Sequence, residues 1–322
     1  ACFNSFTTIK NSQLIDNDSV GLRAESDSNI LSINNTLKDA GPNQLVIAHG
    51  NSCIQCENDQ MTGNCHAAIV AIEKGFVQCN NVKIDSISGV GVVTYDSGSI
   101  RMTKSSITRI NQVCIQTRDQ SKLYLEDVVI SDSKESGISL TSNPMAFLKG
   151  VKISKMNEIG IQISNINQGF VDLVDCDSFE NNKGGILIQG NVPEGCCTIK
   201  DSKFYNNDYL GVNTNGNNTK PKFINCSFTS NKVVGIHVLN CAEIELVNSI
   251  FKGEGQNGIY IDNAIAHLDK ADFSNFSTAA ITCNHSGNLD LKDSVIHDNL
   301  KFACYVADDK THVKFVNCKF MN

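Results

Sequence analysis

Gly211-Val212-Asn213-Thr214, Gly235-Ile236-His237-Val238 and Gly258-Ile259-Tyr260-Ile261 start 24 and 23 residues apart and share one pattern: small, apolar, any, apolar. The pattern extends in both directions. Gly91, Gly137, Gly160 and Gly185 open further copies, and weaker ones start at Gly21, Gln44, Ala68, Cys114, Ala280 and Ala303. Thirteen anchors at spacings of 22 to 26 residues mark a repeat architecture.

Two further signals keep phase with the anchors. Seven residues before nearly every anchor stands a large apolar residue, such as Ile84, Ile107, Ile130, Phe204, Phe228, Phe251 and Phe273, while Phe179 precedes its anchor by six. Three residues before these positions, 10 of 14 sites are Asn or Asp, among them Asn11, Asn34, Asn58, Asn81, Asn225 and Asn248. Period-2 alternation after each anchor, and again ahead of each Asn or Asp, marks short strands. A unit of about 23 residues cannot bury its apolar face alone. Stacking pairs every backbone group with the coil above or below and sets like residues over one another. The large apolar column is expected to fill the lumen. The Asn/Asp column is expected to form an internal ladder of side-chain amides.

Composition agrees with a turn-dense β architecture. The 322 residues hold 38 Asn, only 4 Pro and no Trp, and Asn tolerates the left-handed conformations of turns. A net charge of −7 argues against a nucleic-acid binder, and no apolar run is long enough to span a bilayer.

The G-I-x-I and N-x-x-F pattern resembles the right-handed parallel β-helix repeat of pectate lyases, polygalacturonases and certain F-box proteins. The resemblance implies an all-β fold, a single-stranded right-handed parallel β-helix of about 13–14 coils with about 23 residues per coil. Residues 1–322 are expected to form one continuous domain, part of a longer chain or capped by neighbours. Handedness comes from the resemblance and not from spacing. The coils lengthen around residues 160–211, where loops through Asn191–Gly195 and Asp208 intrude.

Fourteen cysteines read mainly as packing residues. Cys56, Cys79, Cys197, Cys283 and Cys304 fall on inward strand positions, which favours free thiols and a reducing compartment. Cys53, Cys56, Cys65 and His66 have a zinc-like spacing, but the segment keeps the repeat without insertion, so neither metal nor cofactor is expected. N-x-S/T sequons at Asn34 and Asn225 fall on the ladder, where an internal position leaves no room for a glycan.

The resemblance implies that any active site lies on the outer face of a strand, in a groove walled by loops. The positions two and four residues after each anchor were read as that face, and they hold no carboxylate pair on adjacent coils. GHG and RIK elements are absent. The best polar group there is His237, Tyr260 and Asp262, a weak candidate for a His base oriented by Asp. Val46, Ala48, Val70, Ile72, Val93 and Tyr95 read as an outward apolar patch for docking another protein.

These readings converge on a non-catalytic β-helical scaffold that binds other proteins of a multi-subunit assembly. It is placed in the cytoplasm, within a cytoskeletal or ciliary structure, with no nucleic acid and no membrane span. The alternative is a carbohydrate-active lyase or hydrolase, or a secreted carbohydrate-binding or adhesin β-helix, for which this face supplies no support.

Overall fold

The structure is a computed structural model that describes residues 4–321 as an all-β parallel solenoid of about fourteen turns. Among the described residues the strand pairings between neighbouring coils are parallel and link residues about 23 positions apart, as in Gln78 with Arg101 and His237 with Tyr260. Each turn contributes up to three strands. Sheet A takes the strand ahead of the Asn/Asp position, sheet B the strand after it, and sheet C the strand that follows the anchor. The chain divides into two compact units, Ala1–Asn157 and Glu158–Asn322.

In the first unit the lumen is aliphatic. Leu37, Met61, Ile84, Ile107, Ile130 and Ile153 are fully buried on sheet B and stack in register. The second unit replaces them with rings. Phe204, Phe228, Phe251 and Phe273 stack with centroids 5.6, 4.8 and 4.3 Å apart. The anchor is small because two things crowd it. A Cβ on Gly235 would sit 2.5 Å from the Gly258 carbonyl oxygen and 3.2 Å from the Phe251 ring.

Phe179 departs from the lumen column. Ser178 pairs with Phe204 and is buried, while Phe179 faces outward and stacks on Tyr205 at 4.8 Å. The six-residue spacing to its anchor, one short of the rule, is the cause: a shift of one residue exchanges the two faces of a strand.

The Asn/Asp ladder exists but runs outside the lumen. Asn34 donates to Asn11 at 3.1 Å, Asn58 to Asn34 at 3.1 Å and Asn81 to Asn58 at 2.7 Å, and all these bonds are exposed. In the second unit Asn225 donates to Asp201 at 2.9 Å and Asn248 to Asn225 at 2.8 Å. The Asn and Asp residues of the ladder turn the corner between sheets A and B with φ of 48–55°. Asn and Asp tolerate that region better than other side chains, and the corner aims them at solvent. The exclusion of Asn34 and Asn225 as internal positions is corrected accordingly.

A truly internal ladder lies one corner further on. The Asn181 amide donates to Asn207 Oδ1 at 3.0 Å, Asn207 donates to Asn231 Oδ1 at 3.0 Å, and Asn231 donates to the Phe204 carbonyl at 2.9 Å. The first unit has a different buried pair, at the corner between sheets A and B one residue after the outer ladder, where the Asn35 N–H donates to Asp59 Oδ1 at 2.7 Å.

Asp59 is fully buried and its Oδ2 has no hydrogen-bond partner. Burial pushes its carboxyl pKa up, against the lowering effect of hydrogen bonds from Ser32, the Asn35 N–H and Cys56. A carboxyl raised in the fold favours the protonated form, so its contribution is complete below the unfolded pKa and is lost as pH rises through the folded value. Asp59→Asn supplies the amide that Asn35 carries at the equivalent place one coil earlier. It is expected to stabilise the protein by about 1 kcal/mol at neutral pH. Denaturation from pH 4 to 8 should show the wild type losing stability relative to the variant as pH rises. Parallel curves reject this account.

Among the described residues all thirteen cysteines are unbridged. Burial raises the Cys65, Cys114 and Cys283 thiols to about 12, so they stay protonated and pack as small apolar groups.

Candidate functional site

The structure rearranges both outward groups read from the sequence. Val46 and Ala48 are fully buried and point inward. Ile47 pairs with Val70 and Val70 with Val93, so Ile47 and His49 hold the outward places on that strand. The anchor at Gln44 was placed one residue early. The outward apolar residues also cover one another. Ile47 is 8% exposed and Val70 4%, packed with Ala67 and Val90, with Val20, Ile72, Val93 and Tyr95 against them. The apolar column is largely shielded within its own unit.

His237, Tyr260 and Asp262 separate into two contacts. The His237 and Tyr260 rings meet edge to face at 5.0 Å, and the Tyr260 hydroxyl accepts from Asn284 at 2.9 Å. Asp262 instead faces His285 Nδ1 at 2.8 Å. Burial lowers the His237 pKa, which the more distant Asp262 opposes. His237 Nε2 is shielded and unpartnered. The acid is thus spent on His285, and His237 is not a base held by Asp262.

A charged groove of about 520 Å³ lies on the outer face of sheet A in the second unit. Its floor is made by the strands Lys222–Ile224, Glu243–Val247, Ile265–Asp269 and Asn288–Lys292. Inward alternation of Phe223, Ile244, Leu246, Ala266, Leu268, Leu289 and Leu291 fixes which side chains face out. Register then stacks Lys222, Glu245, His267 and Asp290 in one column on four successive coils. One wall comes from extended connections. Glu194 and Gly195 belong to the segment before the strand Cys197–Lys200, and Lys220 and Pro221 to the one before Lys222–Ile224. A parallel bridge from Val192 to Thr219 ties the two connections together. A second hollow of about 530 Å³ shares Lys220 and Glu243 and carries the depression over the edge of the sheet.

His267 is held at both ring nitrogens. Asp290 Oδ2 lies 3.2 Å from Nδ1, and Glu243 Oε1 lies 3.6 Å from Nε2. Glu243 is also bound by Lys220 at 2.6 Å, and Glu245 by Lys222 at 2.6 Å. The Glu243 carboxylate raises the Lys220 pKa through that bond. A 3.2 Å contact is within hydrogen-bond reach and 3.6 Å is beyond it. Asp290 is therefore the nearer partner of the ring, at Nδ1, and Nε2 is the more loosely held nitrogen. Among the described residues no group of three or more His, Cys, Asp or Glu side chains is placed to hold a metal ion.

Sequence reading missed this site because it searched the strand after each anchor, which is sheet C. The signal lay on the other strand. Lys222, Glu245, His267 and Asp290 each stand three residues before the ladder position at 225, 248, 270 and 293. The intruding loop at Asn191–Gly195 was visible in the sequence and does build the wall.

Comparison with known proteins bears on the fold. The profile of the right-handed β-helix region matches residues 67–219 and 190–322. The A-module of mannuronan C-5 epimerase AlgE4 from Azotobacter vinelandii shares the fold with a TM-score of 0.59, at 9% identity over 89% of this chain and 90% of that one. A double mutant of the periplasmic alginate epimerase AlgG gives 0.53 at 11% identity, covering 93% of this chain and 78% of that one. A search of curated proteins returns no match. The expectation of a non-catalytic scaffold in a cytoskeletal or ciliary assembly is corrected by these neighbours, which are named as mannuronan and alginate epimerases. Its physical basis was the missing charged cluster on sheet C, and the cluster on sheet A removes it.

Proposed function

The chain belongs to the right-handed β-helix family, and on that premise we propose that it is a carbohydrate-active protein that binds a polymeric glycan along the sheet A groove and transfers protons through His267. The observation that carries this reading is an imidazole set between two carboxylates, close to Asp290 and loosely beside Glu243, in a loop-walled groove. Successive strands about 4.8 Å apart offer a fresh side chain to each step of a polymer running along the column.

Asp290 sets the ring orientation and tautomer and stabilises the imidazolium that forms when Nε2 takes a proton. Glu243 is already committed to Lys220, so an incoming sugar displaces only a loose 3.6 Å contact to reach Nε2. Lys222 and Glu245 form a fixed pair beside the ring that positions sugar hydroxyls by donating and accepting.

The test is turnover of a panel of soluble glycans, read by reducing ends, by unsaturated products and by NMR for configuration change. His267→Gln keeps the size of the ring's polar edge and is expected to lower turnover at least about 100-fold. Asp290→Asn, which removes the charged acceptor facing Nδ1, should also lower turnover. Unchanged turnover in His267→Gln, or a wild type that turns over no glycan, rejects the reading.

A further inference from the structure

We propose that the groove selects a glycan carrying protonated amino groups and rejects polyuronates; this rests on the reading of the groove as a glycan site. The argument is electrostatic and local. Five carboxylates line the groove (Glu194, Glu243, Glu245, Asp269 and Asp290) against three lysines. Two of those lysines are spent inside it, Lys220 on Glu243 and Lys222 on Glu245, each at 2.6 Å. The third, Lys292, leans to Asp293 at 3.6 Å, which is not part of the lining. Glu194, Asp269 and Asp290 are left without a lysine partner in the groove, and with His267 neutral the lining carries two net negative charges.

Asp269 adds a more specific demand. It faces out from the strand Ile265–Asp269, beside His267, yet its Oδ1 is shielded from solvent and receives no hydrogen bond. A shielded carboxylate oxygen without a donor costs free energy that an ammonium or hydroxyl of a ligand recovers. A uronate carboxylate offers no donor there and adds a like charge. The whole chain, at −7, further disfavours the approach of a polyanion. The substrates named for the alginate epimerases are thus poor guides to this groove, although the fold is shared.

Titration calorimetry on the full chain with glucosamine hexamer, cellohexaose and oligogalacturonate hexamer, at pH 6 and low salt, tests the assignment. The glucosamine oligomer is expected to bind at least tenfold tighter than either other, and to weaken as salt is added. Asp269→Asn should lower that affinity several-fold while leaving cellohexaose unchanged. Tighter binding of cellohexaose or oligogalacturonate overturns the amino-glycan assignment but keeps a glycan site. Absence of binding by all three overturns the glycan reading as well.

Discussion

Phe251→Ala is expected to lower the free energy of unfolding by about 3–5 kcal/mol, the cost of deleting a buried aromatic ring that its surroundings cannot collapse around. Phe251 lies between Phe228 at 4.8 Å and Phe273 at 4.3 Å, near-parallel to both. The anchor Gly235 closes a third side, with its Cβ position 3.2 Å from the ring. Ladder hydrogen bonds fix the spacing of the strands, so neighbouring coils cannot slide together to fill the hole. Phe251→Leu keeps most of the volume and should cost under about 1.5 kcal/mol. Guanidinium denaturation of the three proteins checks this. In a stack held by nearest-neighbour contacts, the alanine variant should also split the transition into two steps. A loss below about 1 kcal/mol would show that the ring column does not carry the stability of this unit.

Asn207→Ala should be nearly as costly, at about 3 kcal/mol or more. Asn207 Oδ1 accepts from both the backbone and the side-chain amide of Asn181, at 3.1 and 3.0 Å. Its own amide donates to Asn231 Oδ1 at 3.0 Å and to the Ser178 carbonyl at 3.2 Å. Truncation strands donors and acceptors in a dry interior, at about 1–3 kcal/mol for each left unmade. Asn58 is the control. It makes equivalent bonds to Asn34 and Asn81, but at an exposed corner with φ of 54°. Water replaces its partners, and Asn58→Ala should cost about 1–2 kcal/mol, mostly for placing alanine in a left-handed conformation. Equal losses at the two positions would contradict the distinction between inner and outer ladders.

That distinction also marks where sequence reading succeeded and failed. Period and phase were legible because every coil repeats the same burial, and the Phe column and the strand pairs fell where 23-residue spacing put them. Face assignment was fragile because a strand has only two faces. Choosing Gln44 as an anchor turned Val46 and Ala48 outward when they point in, and the six-residue spacing of Phe179 was visible without its consequence, a change of face that moved that ring outside. The Asn/Asp column has the right residues, but spacing alone does not say whether a corner aims a side chain at the lumen or at water. The groove was hidden for a different reason. Its chemistry is spread over four coils, one residue per repeat, so no local motif exists. Only the in-register stacking of Lys222, Glu245, His267 and Asp290 joins them into a site.

The connections that wall the groove, joined by the Val192–Thr219 bridge, hang beside the stacked strands and supply none of the lumen rings. Val192 and Thr219 are fully buried and anchor them, so only the exposed residues beside that bridge are free to vary without disturbing the parallel pairing beneath. Substituting exposed residues such as Glu194 and Asn217 should retune which polymers are admitted, and how deeply, while folding proceeds unchanged. Such a body separates the evolution of recognition from the evolution of stability.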